Sequence, residues 1–174
     1  VNVTPLENKP KTKQRRRMPA DIEKAVEIAR ELRKRERFNK VEFYDPYPYQ
    51  LEFHATGGEA NQRLLMAANR IGKSYCGAAE MAFHLTGLYP DWWKGRRFNN
   101  PITAWCGGIS NETTRDIVQA ELMGEPGDPE EYGKGTIPKD LIVGQPQRLP
   151  GIPNAFQNVI IKHASGKNSK LMFK

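Results

Sequence analysis

The sequence predicts an α/β fold, a small sheet flanked by helices, from three stretches of alternating character. Arg63 to Ala68 reads as a short buried strand, followed by the loop Asn69 to Gly72 and a helix of small residues from Lys73 to about Leu85. Ile102 to Cys106 reads as a second buried strand. Gly107-Gly108 opens a turn behind it, and Ser110 or Asn111 caps a helix carrying Ile117, Val118, Ala120, Leu122 and Met123. Asn158 to His163 and Ser169 to Phe173 form a closing hairpin around Ser165-Gly166-Lys167-Asn168.

The remaining elements follow from local chemistry. Val1 to Met18 mixes prolines and lysines with the run Arg15-Arg16-Arg17 and holds almost no apolar residue, so a basic flexible arm over 1–18 is expected. From Pro19, Ile22, Val26, Ala29 and Leu32 recur at helical spacing. Asp21 and Glu23 suit the amino end of the dipole, which gives a helix to about Arg37 within a linker region over 19–42. Its narrow apolar stripe fits a surface helix. Asp45-Pro46-Tyr47-Pro48-Tyr49 forces an extended approach, because each proline turns the residue before it away from helix. A domain over 43–174 is expected to begin there. Gln50, Phe53 and His54 fall on a short helix stopped by Thr56-Gly57-Gly58. Leu88 to Asn100 is irregular, aromatic and basic, and Gly124 to Pro153 is a long excursion with short pieces around Lys139 to Ile142.

The 174 residues suffice for one ordinary domain. Net charge is +7, but residues 1–40 hold 13 Lys and Arg against 6 Asp and Glu, leaving 14 of each sign in the rest. The excess belongs to the arm, and a neutral body argues for a nucleic-acid partner more weakly than a basic groove would. No apolar run approaches the ~20 residues of a membrane span, and no secretory signal is read, so a cytoplasmic, membrane-free setting is expected. Cys76 and Cys106 are too sparse for a disulfide framework or a zinc site. His54, His84 and His163 show no metal spacing and read as packing or surface residues. Trp92, Trp93, Arg96 and Arg97 either anchor a loop or clamp nucleic acid.

The chemistry concentrates at residues 67–74. In the pattern G-x-x-x-x-G-K-[ST], backbone N–H groups converge on phosphates, the lysine neutralises charge and the hydroxyl holds Mg²⁺. Gly72, Lys73 and Ser74 match, whereas Ala67 stands where the first glycine belongs. Strand, loop and helix in that order predict a P-loop NTPase sheet of RecA/ASCE-like type with flanking helices. Ala67, Asn69, Ile71, Gly72, Lys73, Ser74 and Tyr75 are the candidate ATP-binding residues, and Ser74 is the candidate Mg²⁺ ligand. Lys73 and Arg70 are the candidate catalytic residues. Arg70 is either a solvated loop charge or a cis-acting arginine for the γ-phosphate. Gln50 is either an ordinary turn residue or a reader of the adenine edge, with Tyr47 or Tyr49 stacking on the base. No apolar run ending in aspartate follows Ser74; Asp45 precedes the loop and Asp140 precedes its own apolar run. The sheet is therefore expected to be incomplete, and this chain to bind nucleotide weakly or to lack hydrolysis alone.

Taken together, Tyr47-Pro48-Tyr49-Gln50, the variant loop Ala68 to Ser74, the strand Ile102 to Cys106 with its Ser110-Asn111-Glu112-Thr113-Thr114 helix start, and the closing Lys162 to Lys174 resemble the large terminase subunit of tailed bacteriophages. The resemblance spans roughly residues 43–174. It implies the amino-terminal part of an ATPase that drives double-stranded DNA into a procapsid, with the later ATPase strands and the nuclease domain lacking a counterpart here. It also implies Gln50 as adenine reader, Arg70 as the loop arginine, and a small terminase subunit, a portal protein and a homo-oligomeric ring as partners, in a bacterial host cell. The alternatives are a truncated prophage remnant that competes for assembly partners, and another P-loop ATPase such as a helicase.

Overall fold

The computed structural model describes residues 19–174, so the arm expected over 1–18 lies outside the described residues. The chain divides into two units, Val1–Leu32 and Arg33–Lys174. The first contains the leading part of helix α1 (Ala20–Phe38), which has acidic residues in its first turn, basic ones in its last, and no buried residue along its length. Those charges oppose the helix dipole at both ends. With no buried residue, the helix relies mainly on such local terms, to which its last turn adds the Arg37–Glu131 contact at 3.6 Å and Lys139 over the Phe38 ring.

The second unit holds α2 (Pro48–Thr56), α3 (Lys73–Thr86) and strands β1 (Thr103–Cys106), β2 (Ile142–Arg148), β3 (Phe156–Lys162) and β4 (Asn168–Phe173). Between β1 and β2, α4 (Asn111–Thr113) runs through a π-helical stretch (Thr114–Gln119) into α5 (Ala120–Met123). Ser110 caps this composite helix, its hydroxyl accepting from the Thr113 N–H at 3.2 Å.

The four strands make one mixed sheet in the order β1-β4-β3-β2. β3 and β4 pair antiparallel, from Asn158 opposite Met172 to Lys162 opposite Asn168, as the hairpin pattern predicts. β1 lies parallel to β4, with Thr103 opposite Lys170 and Cys106 opposite Phe173. Alternation is clear on the central strands. Val159, Ile161, Leu171 and Phe173 turn inward and meet Ala78, Ala82 and Leu85 of α3 and Leu122 and Met123 of α5. The small residues of α3 let that helix lie close on the sheet.

Two expectations differ from what the fold contains. Arg63–Ala68 is no strand: the segment joins no ladder, and Leu64 and Met66 are 79% and 81% exposed. Its apolar residues reflect a surface that no other described element covers. Conversely, β2 lies within the stretch expected to be an irregular excursion. Gly144 and Pro146 disguise it, and the sheet accommodates them through register shifts between Val143, Gln147 and Arg148 on an edge strand, where a residue without an N–H is tolerated.

Candidate functional site

The loop before α3 is folded tightly. Arg70 and Gly72 both adopt left-handed backbone, with φ of 62° and 82°. Gly72 forms the N-cap of α3 and leads into Lys73 and Ser74 in its first turn. The loop's carbonyls are turned toward donors within the protein. Lys73 Nζ donates to Ala67 O at 2.7 Å and also to Ala68 O. Tyr49 Oη donates to Ile71 O, and Gln50 Nε2 donates to Gly72 O at 3.2 Å. Among the described residues, the N–H groups of residues 69–75 donate to no backbone or side-chain acceptor. A run of unpaired N–H groups at the amino end of a helix, with an ammonium beside them, is a set of donors suited to an anion.

The candidate residues therefore fall into two groups. Ala67, Asn69, Arg70 and Ser74 are exposed on the loop and first turn, whereas Ile71, Lys73 and Tyr75 are partly covered. Tyr75 faces the other way, packing edge-on against Tyr44 with ring centroids 5.3 Å apart. Tyr49 and Gln50, distant in sequence, are brought to the loop by α2. Tyr47 and Tyr49 stack with their planes 12° apart. Gln50 is only 2% exposed, and its Oε1 accepts from Tyr47 N–H at 2.9 Å, the reciprocal half of a capping box.

For a magnesium nucleotide the donor set fits the anion. For the cation it supplies the Ser74 hydroxyl, and among the described residues no group of three or more His, Cys, Asp or Glu could hold a metal ion. Ser74 also lines a cleft of about 300 Å³ with Gly77, Gly107, Val118 and Glu121. Glu121 is half-buried, and burial raises its carboxyl above the ordinary range. The cysteines are not poised as nucleophiles: burial pushes the Cys106 thiol up to about 11 and raises Cys76 as well.

Behind the loop lies a buried polar cluster that the sequence does not announce. Glu80, in the small-residue helix α3, meets His54 Nδ1 at 2.8 Å, His84 Nε2 at 3.3 Å and the Arg63 guanidinium. Burial alone would raise the Glu80 carboxyl, but hydrogen bonds from His54, His84 and Arg63 outweigh it and hold the group well below the usual carboxylate range. Arg63 also donates to Phe53 O at 2.7 Å. The only sequence signal was a single acid among Ala78, Ala79, Met81 and Ala82, four residues before His84. Trp93 is 4% exposed and packs with His54, Phe83 and Tyr89, its Nε1 donating to Arg96 O at 3.1 Å, which gives this tryptophan the loop-anchoring role.

The sequence model of a family described as "Terminase large subunit, T4likevirus-type, N-terminal" matches residues 64–171. The chain belongs to the large terminase subunit family. It is 36% identical over 156 residues to the terminase large subunit of Salmonella phage P22, an alignment that covers 81% of this chain and 31% of that relative. The chain thus spans under a third of the length of this terminase relative. No solved structure matches. The family match contains the whole phosphate-loop candidate, α3 and most of the sheet, while Tyr49 and Gln50 precede it.

Proposed function

We propose that this chain is the ATP-binding part of a terminase large subunit, and that residues 67–75 form a P-loop cradling the phosphate chain of Mg·ATP in a sheet of RecA/ASCE-like type. The observation that carries this reading is the arrangement of loop carbonyls on Lys73, Tyr49 and Gln50, which leaves the N–H groups of residues 69–75 for an anion at the start of α3. Bound Mg·ATP would supply the free energy for moving double-stranded DNA into a procapsid.

Each residue has a role in this reading. Lys73 exchanges its two carbonyl partners for phosphate oxygens, replacing neutral acceptors with charged ones. Ser74 holds the cation through its hydroxyl, and Arg70, exposed on the loop, neutralises charge on the γ-phosphate. Tyr47 and Tyr49 offer a stacked pair beside the loop for the base. Gln50 retains one Nε2 proton beyond the one given to Gly72, and that proton is the one available to adenine. The small terminase subunit, the portal protein and a ring of further copies are the partners of the same proposal, and the basic arm is a contact for DNA or the small subunit. The setting is the cytoplasm of a bacterial host. Hydrolysis requires an acidic pair at a strand end that this sequence does not supply. Membership of the terminase family removes the ground for the helicase alternative.

The test is titration of Mg·ATP into the chain and into Lys73→Ala, with binding and phosphate release followed together. The expected outcome is saturable binding by the parent chain, loss of at least about tenfold in affinity on substitution, and no turnover by either. Equal affinity in the two proteins would overturn the assignment of the loop.

A further inference from the structure

The Gln50 carboxamide joins three parts of the molecule. Its orientation is fixed, because Tyr47 N–H can only donate and Gly72 C=O can only accept, so Oε1 must face the first and Nε2 the second. A third contact comes from the Tyr44 hydroxyl, 3.3 Å from Gln50 Oε1. That hydroxyl sits 3.0 Å from His54 Nε2, and the opposite ring nitrogen meets Glu80. The sequence Glu80, His54, Tyr44, Gln50, Gly72 is therefore a continuous buried line of polar contacts, ending on the carbonyl of the N-cap residue of α3. Each side chain along it is less than a tenth exposed: Glu80 7%, His54 1%, Tyr44 7% and Gln50 2%.

A buried line of this kind has a mechanical meaning. If the Gly72 carbonyl rotated toward the loop's concave side, it would oppose a bound phosphate and withdraw the adjoining N–H from it. The carbonyl already accepts the first helical bond of α3 from Cys76 N–H at 2.9 Å; Gln50 Nε2 adds a second donor that holds it back, and the Tyr44 hydroxyl limits rotation of the carboxamide. The ring of Tyr44 is in turn fixed by edge contacts with Tyr75 and Trp92, at centroid distances of 5.3 and 6.1 Å.

We propose that Tyr44, backed by His54 and Glu80, is a positioning residue for the phosphate loop: it orients Gln50, whose amide holds the Gly72 carbonyl away from the bound phosphate. This rests on the P-loop reading above. It assigns Gln50 a task independent of the nucleobase, and it makes a residue outside the loop a determinant of phosphate affinity.

The experiment is a double-mutant cycle on the whole chain, using Tyr44→Phe, Gln50→Ala and both together, with Mg·ATP and magnesium tripolyphosphate as probes. Tyr44→Phe removes one oxygen and leaves the aromatic packing. The expected result is weaker binding by about threefold to tenfold for Tyr44→Phe, of the size one buried hydrogen bond commands, and by the same factor for both probes. The double variant should bind no more weakly than Gln50→Ala alone, since Tyr44 acts through Gln50. A merely structural role would instead add the two losses. Gln50→Glu gives a second route, because it keeps the acceptor for Tyr47 N–H while presenting a carboxylate to the Gly72 carbonyl, and it should weaken both probes more than Tyr44→Phe does. Unchanged affinity in Tyr44→Phe, additive losses, or losses confined to Mg·ATP would overturn the proposal while leaving the loop assignment intact. Equal binding by the parent chain and Lys73→Ala would remove the P-loop reading and this inference with it.

Discussion

Gly72 carries two constraints at once. Its φ of 82° lies in the left-handed region, and a Cβ built there would sit 3.2 Å from Gln50 Nε2. Either constraint alone favours glycine; together they leave the position no other residue without moving the strut that holds the loop. Gly72→Ala is expected to cost about 1–2 kcal/mol from backbone strain and to weaken nucleotide binding in parallel. Chemical denaturation should show a lower midpoint with an unchanged slope, and an unchanged midpoint would remove the strain argument. At this scale the sequence order Gly72-Lys73-Ser74 is matched by position: Gly72 caps α3, and Lys73 and Ser74 stand in its first turn. What the sequence hid was Gln50's partner, because an amide 22 residues from Gly72 declares neither direction nor depth.

Among the elements, α2 and α3 are joined by Glu80, which meets His54 across them. Its carboxylate collects His84 from one turn further along its own helix, His54 from α2 and Arg63 from the segment between them, a convergence that the linear spacing of His54 and His84 does not show. Since the folded state holds this carboxyl below its ordinary range, the associated stability is present above the unfolded-state value near 4.3 and is lost as pH falls beneath it. Glu80→Gln should therefore destabilise the chain by about 3 kcal/mol at pH 7, as expected for breaking a buried ion pair. Its penalty relative to the parent should shrink steadily as the pH is lowered from 5 toward 3, because the unfolded parent takes up a proton at Glu80 in that range while the folded carboxylate, held low, does not. Thermal melts across that range would decide the matter, and a penalty independent of pH would assign the loss to packing. Of the remaining elements, α1, α2, α3, β1 and the β3–β4 hairpin announce themselves by period and caps. β2 does not, because an edge strand can absorb the glycine and proline that argue against it.

Considered as a whole, the molecule places its best-formed packing between α3, α5 and the central strands and leaves apolar side chains uncovered elsewhere. Leu64, Met66 and Trp105 are 79%, 81% and 69% exposed, and Ile109 is fully so. Such surfaces, next to a sheet edge at β1, favour association between copies. Met66→Lys combined with Trp105→Lys is expected to raise the concentration at which light scattering first detects assemblies, with little change in melting temperature. An unchanged onset would show that these side chains do not mediate the contact. The sequence anticipated an incomplete sheet, but not that Arg63–Ala68 would stand outside the ladder altogether, since an apolar run records a tendency to be covered without saying by what.

The parallel alignment of β1 with β4 also sets an order of events. Ile102 and Ser169, bonded across the start of that ladder, are 67 residues apart, whereas β3 and β4 meet around a turn of a few residues. Closing the longer loop loses more chain entropy before any contact rewards it. The hairpin should therefore form early as a template, and β1 should dock late, bringing the Cys106 carbonyl to the Lys174 N–H at 2.9 Å. The strand contributing Cys106 and Gly107 to the cleft beside Ser74 would then be among the last to arrive, so that wall of the cleft would be finished only once nearly the whole chain had been threaded into place.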